Sequence, residues 1–382
     1  MPMRPGHRPG RWIERRRNSQ AFRDRFRACD CDGALSTPRE ARHRHGASVS
    51  PLLRVDPFPP RSPMPRTYEP RVLVRRIERR KPTVLTLVAH GLASVVLVPS
   101  YALAAAAIGT PGMRFHLDAV DTALRLAAHG GTGLIAQAGR LALYPMDSTR
   151  YFEFDWVWSR LKRLRHVQAY LDVSSPRFLP LTYIRRVGVP HAWLVNPDRA
   201  DLSITERWAA ALSLSNRCRF SAAPIEEATL DGQRFDAITS ISVFEHIVDE
   251  GPALENVYRL LAPGGSLLLT LPCTAAGYDQ YRDYDEYNLA RPDADGRYFF
   301  QRFYDQSSLR QRVFSILGEP NQMTVYGESE PGYFGRNAQQ KMKGLPYPFW
   351  REGYMMGRHF QLYPSIDALP GEGVVALEFT RS

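Results

Sequence analysis

The chain has 382 residues, of which 44% are hydrophobic and 23% are charged. These fractions are close to those of globular proteins, so they exclude a collagen-like repeat, a coiled coil and wholesale disorder. Residues 1–82 hold 21 lysines and arginines against 8 acidic residues, whereas residues 83–382 hold 29 against 31. The formal net charge of +11 therefore comes from the N-terminal fifth, and the nearly neutral remainder argues against a nucleic-acid partner.

The four cysteines, Cys29, Cys31, Cys218 and Cys273, are too few and too scattered for a disulfide framework. No histidine or cysteine pair with zinc-finger spacing accompanies Cys29 and Cys31, so no metal site is expected. This cysteine usage predicts a reducing, cytoplasmic compartment.

Residues 1–82 are rich in arginine and proline and show little apolar periodicity. Such a segment buries too little apolar surface to offset its ordering entropy, so it is expected to be a basic disordered extension, with residues 1–63 dispensable for folding. It is either a basic arm for nucleic acid or lipid, or a stretch upstream of a true start at Met64 or Met113. We favour the second interpretation.

Residues 83–109 form an apolar run without a single Asp, Glu, Lys or Arg, and a cluster of cations at 75–81 precedes it. A run of this length suits a membrane helix whose N-terminal side lies in the cytoplasm. His90 and Pro99 inside the run are equally compatible with a re-entrant segment, a membrane-surface segment or a buried helix. Membrane association through residues 83–109 is therefore one expectation among these alternatives.

Residues 113–165 are expected to form a helical and aromatic lead-in, with helical patterns at 117–128 and up to about Leu143. The aromatic block at 151–158, YFEFDWVW, alternates like a lid beside a substrate, although aromatic residues at this density more often form core.

After residue 165, short apolar runs alternate with helical patterns, which predicts a parallel sheet with right-handed crossovers. The predicted strands are 166–173, 191–195, 218–223, 236–242, 266–271, 322–327 and 374–380. The predicted helices are 176–187, 199–214, 253–261 and 307–317.

The most specific stretch is 235–272, FDAITSISVFEHIVDEGPALENVYRLLAPGGSLLLTLP. It combines a buried strand that ends in small polar residues, an amphipathic helix stopped by Pro-Gly-Gly, and a second buried strand. Ligands bind outside the carboxyl ends of such strands. The residues therefore predicted to face a pocket are Ser240, Ser242, Phe244, Glu245, His246 and Pro272.

This stretch resembles the "FDxIxSxxVxEHI…RxLxPGGxLxxTxP" segment of class I S-adenosylmethionine-dependent methyltransferases, and the resemblance extends over about residues 166–382. It implies an α/β, Rossmann-like, doubly wound, mostly parallel sheet of seven strands in the order 3-2-1-4-5-7-6, with the last strand antiparallel. An insertion at 328–373 separates the last two strands. The resemblance also implies S-adenosylmethionine as cofactor.

The expected cofactor loop departs from the family. Asp172 ends the first strand as the family requires, but Ser174, Ser175 and Pro176 replace its Gly-x-Gly-x-Gly, and Asn196 replaces the usual acidic residue. The resemblance implies that Asp172 orients the loop, that the two serines contact the amino-acid or ribose part, and that Asn196 contacts the ribose hydroxyls. It adds Ser240, Ser242 and Phe244 to the cofactor side.

Two functions compete on this fold, since a fold alone does not fix a function. The first is methyl transfer to a small-molecule or glycan-like acceptor, with His246 as a proton acceptor that Glu245 orients or polarises. Equally, Glu245 and His246 cap and pack the loop before the next helix. The second function is a non-catalytic binding or scaffold protein that has lost the cofactor. A dinucleotide-dependent oxidoreductase is disfavoured because the Gly-rich fingerprint is missing.

Overall fold

Four helices precede the main sheet in this computed structural model, which describes residues 71–74, 83–285, 291–342 and 349–382. They are α1 (Val84–Ala107), α2 (Phe115–His129), α3 (Thr132–Leu143) and α4 (Arg150–Leu161). The expectations for Cys29, Cys31 and residues 1–63 concern residues outside the described ranges.

Eleven strands are present in the described part of the chain. They are β1 (Arg71–Val74), β2 (Ala169–Val173), β3 (His191–Val195), β4 (Cys218–Ser221), β5 (Phe235–Ile241), β6 (Leu261–Thr274), β7 (Tyr278–Arg282), β8 (Tyr298–Phe303), β9 (Gln322–Glu328), β10 (Phe360–Tyr363) and β11 (Glu372–Thr380). The helices among them are α5 (Phe178–Tyr183), α6 (Arg199–Ala211), α7 (Gly251–Leu260), α8 (Gln306–Leu309), α9 (Ser315–Leu317), α10 (Tyr333–Met342) and α11 (Arg351–His359).

The main sheet has the strand order β10-β9-β11-β6-β5-β2-β3-β4. Strands β4, β3, β2, β5 and β6 are parallel to their neighbours, and β11 pairs antiparallel with both β6 and β9. This is the order 3-2-1-4-5-7-6 with one strand added at the edge. The predicted Rossmann-like fold is confirmed, but the prediction of seven strands is wrong by one, because the insertion contributes β10 beside β9.

A second, three-stranded sheet has the order β1-β7-β8. Its first strand, Arg71–Val74, lies inside the segment expected to be disordered, and it pairs in parallel with β7. The prediction of disorder is therefore wrong for these four residues. Their composition did not indicate a strand, but pairing with β7 supplies partners for their backbone hydrogen-bonding groups.

The Pro-Gly-Gly stretch makes the sharp turn at which β6 approaches β5. Gly264 has a φ of 75°, and a Cβ on Gly265 would lie 2.8 Å from the carbonyl oxygen of Phe235. Both glycines are therefore required by the backbone, which explains why the motif ends the amphipathic helix so abruptly.

Apolar side chains cover the two faces of the main sheet as two clusters, because successive strand residues point to opposite faces. Tyr170 joins the first cluster and its neighbour Leu171 joins the second. Helix α4 packs in the first cluster, with all of its residues buried except Arg150, Asp155, Ser159 and Arg160. The aromatic block is thus a buried helix, and its interpretation as a lid is wrong.

Helix α1 packs on α11 and leaves one side exposed, so the alternative of a buried helix is wrong. Within the described ranges, none of the helices combines the length and the apolar character that crossing a membrane requires.

Candidate cofactor and acceptor site

The site lies at the carboxyl edge of the sheet, where β2, β3 and β5 end next to one another. The chain runs from β2 outward through β3 and β4 and then returns to place β5 on the other side of β2. This reversal creates a crevice between the ends of β2 and β5, which is where doubly wound sheets bind ligands.

Ser174 holds the turn that follows β2. Its φ of 52° lies in the left-handed region, so it adopts the conformation that glycine provides in the family. Its backbone N–H and its hydroxyl both donate to the carbonyl oxygen of Val195, at 2.8 and 3.0 Å. The hydroxyl of Ser175 accepts from the N–H of Ile241 at 3.1 Å. The two serines therefore tie the ends of β2, β3 and β5 together.

Asp172 lies beneath this turn and is 2% exposed. Among the described residues the N–H and the hydroxyl of Ser175 act on this carboxylate, but neither of its oxygens accepts a hydrogen bond of ordinary geometry. Burial raises the pKa of Asp172 to about 7, and the polar groups of Ser175 offset part of that rise. A buried carboxylate that is only weakly hydrogen-bonded is costly, so this group is suited to a ligand that brings hydrogen-bond donors or positive charge.

Asn196 follows β3 and belongs to a small polar network. Its amide nitrogen donates to Asp201 at 3.0 Å, and its amide oxygen accepts from the N–H of Asp198 at 2.9 Å. Asp201 also pairs with Arg177, which comes from the loop after β2. An amide has two donors and two acceptor lone pairs. One N–H and one lone pair of Asn196 therefore remain for the hydroxyls of a ribose.

These features fit S-adenosylmethionine. The left-handed turn keeps the loop close to the strands, Asp172 offers a weakly hydrogen-bonded carboxylate, and the half-buried Asn196 retains hydrogen-bonding capacity. Two surface cavities, of about 380 and 280 Å³, lie elsewhere and are lined by none of the predicted site residues.

Ser240 and Phe244 lie inside the protein rather than at the edge. The hydroxyl of Ser240 donates to the carbonyl oxygen of Val173 at 3.2 Å, which links β5 to β2. Phe244 is 1% exposed and packs in the second apolar cluster. Both side chains support the crevice from within, and their contact with a cofactor stays a prediction.

Glu153 of α4 is the main feature of the site that the sequence did not reveal. It is fully buried, and one of its carboxylate oxygens accepts from the hydroxyls of Ser242 and Thr270, both at 2.6 Å. The other oxygen accepts from Thr149 at 3.2 Å and from Arg150 at 2.7 Å. Glu153 thereby anchors the lead-in helix to the carboxyl ends of β5 and β6.

Glu245 lies in the loop after β5 and is 2% exposed. Burial raises its pKa to about 8, Glu153 adds to the rise, and Arg150 and Ser242 reduce it. Its Oε2 atom has no hydrogen-bond partner within the described residues. Near neutral pH this carboxyl group is therefore largely protonated, and it can donate a hydrogen bond.

His246 is the more exposed of the adjacent pair, with 22% of its side chain accessible. Its Nδ1 lies 2.6 Å from the carbonyl oxygen of Phe300 on β8, and its Nε2 lies 3.8 Å from Glu245 Oε1. Since a carbonyl oxygen can only accept, this contact assigns the ring proton to Nδ1. Nε2 is then the nitrogen that can take up a proton.

The part of the chain that forms the crevice matches a known protein family. Residues 148–313 match a family model described as a methyltransferase domain. This range includes α4 and both sides of the crevice. This part of the chain, less than half of its length, is thus similar to a methyltransferase domain, and its strand order is the one that the class I, S-adenosylmethionine-dependent fold implies.

A curated relative, the ubiquinone/menaquinone biosynthesis C-methyltransferase UbiE of Marinomonas sp. (strain MWYL1), is 29% identical over 126 residues. The alignment covers 33% of this chain and 49% of the relative, so the chain spans about half the length of the curated relative that it matches.

Among solved structures, the geranyl diphosphate C-methyltransferase of Streptomyces coelicolor A3(2) is 12% identical and covers 60% of this chain and 76% of its own, with a TM-score of 0.39. A putative sarcosine dimethylglycine methyltransferase from Galdieria sulphuraria is 16% identical and covers 60% and 85%, with a TM-score of 0.38. The likeness at these scores adds nothing to the fold described above.

Proposed function

We propose that this chain is an S-adenosylmethionine-dependent methyltransferase that acts on a small-molecule or glycan-like acceptor. The observation that carries the proposal is the pairing of the left-handed turn at Ser174 with the buried, weakly hydrogen-bonded carboxylate of Asp172 at the reversal point of the sheet. The name of the curated relative supports a small-molecule acceptor. The non-catalytic alternative has no specific observation in its favour.

Asp172, Ser174, Ser175 and Asn196 are the residues that would hold the cofactor, which supplies an electrophilic methyl group when bound. Asp172 accepts from donors of the amino-acid part, and the serine turn sets the distance between ligand and backbone. Asn196 forms hydrogen bonds with the ribose hydroxyls through the amide N–H and the oxygen lone pair that Asp201 and Asp198 do not occupy.

Glu245 and His246 lie on the acceptor side of the crevice in this proposal. The Phe300 carbonyl fixes the ring of His246, so Nε2 takes the proton of an acceptor hydroxyl or amine as the new bond to carbon forms. Glu245, protonated near neutral pH, donates a hydrogen bond to the acceptor and orients it. Positioning of this kind can supply much of the rate of a methyl transfer.

Isothermal titration of the full chain with S-adenosylmethionine and S-adenosylhomocysteine tests cofactor binding. We expect one site per chain for each ligand, and Asn216→Ala, at an exposed asparagine remote from the crevice, to leave the affinity unchanged. A folded chain that binds neither ligand would support the scaffold alternative. Transfer of label from methyl-labelled S-adenosylmethionine to a small-molecule extract then tests the reaction.

A further inference from the structure

Helix α1 exposes an uncharged apolar face that faces away from the rest of the protein. Leu92, Val96 and Leu103 are 71%, 67% and 72% exposed, and Ile108, just beyond the helix, is 47% exposed. The spacings of four and seven residues place the three helical side chains on one side of the helix. We define these four side chains as the α1 face.

The polar groups beside the α1 face are compatible with an apolar environment. The hydroxyl of Ser100 donates to the carbonyl oxygen of Val96 at 2.8 Å, so it needs no water. Residues 83–109 contain no Asp, Glu, Lys or Arg. Contact with hydrocarbon would therefore strand no charge and leave this hydroxyl satisfied.

The opposite side of α1 is held by protein. The rings of Tyr101 and Tyr354 lie 5.9 Å apart, and the hydroxyl of Thr110 donates to the carbonyl oxygen of Gly353 at 3.1 Å. A Cβ on Gly357 would lie 2.0 Å from the Thr110 hydroxyl oxygen, so a glycine is needed for this close approach. The helix is thus fastened to α11 along one side, which orients its apolar face outward.

The sequence supplies the charge that such a face needs at a membrane. Five cations stand immediately before α1, at Arg75, Arg76, Arg79, Arg80 and Lys81, against the single acidic residue Glu78. Cations beside an apolar helix are attracted to anionic lipid headgroups while the apolar side chains enter the acyl boundary. The α1 face of a second copy would bring the same run without an acidic residue, so it would offer these cations no opposite charge.

We propose that the α1 face docks this protein on the surface of an anionic lipid bilayer, to which the cations that the sequence carries at 75–81 are attracted. The helix lies on the membrane along its length, about 36 Å for 24 residues, while α11 keeps its other side in the protein. The proposal concerns attachment and does not depend on the proposed methyl transfer.

Flotation of the full chain with vesicles tests this docking. We expect binding to phosphatidylcholine vesicles that contain phosphatidylglycerol to exceed binding to phosphatidylcholine alone by roughly tenfold or more. Replacing the four arginines of the cluster by glutamine should abolish this preference. Equal binding to the two vesicle types, or no binding to either, would overturn the proposal.

Single substitutions locate the contact. Leu92→Glu and Leu103→Glu should each lower vesicle binding by about tenfold or more, because each removes a leucine from the apolar contact and adds a charge. The matched control is Leu117→Glu on α2, where the leucine is 74% exposed beside Asp118, and it should bind like the wild type. Equal loss in the control would remove the α1 face from the contact.

Two further measurements keep the outcomes distinct. Thermal unfolding of each variant separates lost binding from a lost fold, and the arginine variant alters no residue of α1. Alkaline carbonate should release vesicle-bound protein, and retention would contradict docking at the surface. A chain that does not float but forms a dimer that Leu103→Glu dissociates would assign the face to a second copy.

Discussion

The carboxylate of Glu153 accepts a 2.6 Å hydrogen bond from the hydroxyl of Ser242, although 89 residues separate the two along the chain. The same oxygen binds Thr270, so one side chain of the lead-in helix joins the ends of two adjacent strands. The lead-in is therefore a structural part of the crevice, and its removal would alter the site from a distance.

Glu153→Ala should lower the free energy of unfolding by about 2–5 kcal/mol, because it strands three buried or half-buried hydroxyl groups and leaves Arg150 without its carboxylate. Denaturant unfolding monitored by circular dichroism measures the change. Glu226→Ala, at an exposed glutamate, is the matched control and should change stability by less than about 0.5 kcal/mol. Equal stability of the two variants would mean that the Glu153 network contributes nothing.

Glu245 predicts a pH dependence of stability. Burial raises its pKa from an ordinary value of 4.5 to about 8. Between these values the folded chain keeps the proton that the unfolded chain has released, so the free energy of unfolding falls as pH rises. One such proton gives a slope of at most about 1.4 kcal/mol per pH unit.

Unfolding of Glu245→Gln measured from pH 5 to pH 8 checks this dependence. In the variant, the free energy of unfolding should fall less steeply with pH, by at most the slope given above. The stability of the variant relative to the wild type should therefore rise with pH. Glu319→Gln, at a glutamate whose side chain is 66% exposed, should keep the wild-type slope. A variant that retains the full slope would assign the dependence to Asp172, whose pKa burial also raises.

Asn196→Ala should weaken binding of S-adenosylhomocysteine by a few-fold to about tenfold, because one good hydrogen bond contributes roughly 0.5–1.5 kcal/mol. Isothermal titration measures the affinity, and the thermal transition confirms the fold. The loss of the Asp201 and Asp198 contacts has its own cost in stability, which this second measurement separates. Unchanged affinity in a folded variant would remove Asn196 from the site.

His246→Ala should lower the rate of label transfer by about 10²-fold while leaving the affinity for S-adenosylhomocysteine nearly unchanged. His191→Ala is the control, because His191 is exposed at the opposite end of β3. A folded His246 variant with near-native turnover would assign this histidine to packing of the loop against Phe300.

Local pattern predicted the strands more closely than the site. β3 has the predicted bounds, because an apolar run between turn residues marks both of its ends. β2 begins three residues later than predicted, since His166 has a φ of 60° that a strand cannot adopt. Arg71–Val74 was missed because its apolar run is only three residues long and lies in an arginine-rich segment, and the strand is formed by its pairing with β7.

The contacts that define the crevice come from distant parts of the chain, and periodicity carries no information about them. His246 is held by Phe300, 54 residues away, on a strand that was not predicted. Glu153 had one usable signal. It stands between Phe152 and Phe154 in a block whose aromatic residues occupy consecutive positions and therefore lie on more than one side of the helix, where a glutamate requires a buried partner.

The position of Glu153 also constrains how the protein folds as it is synthesised. A ribosome completes α4 long before it reaches Thr270, which lies 117 residues further on. Until then Glu153 lacks Ser242 and Thr270, which have not yet been synthesised. The aromatic residues around it have no sheet against which to pack. Closure of this contact over such a long loop is entropically costly and must come late. We therefore expect the exposed aromatic residues of the nascent helix to bind chaperones until the sheet has formed.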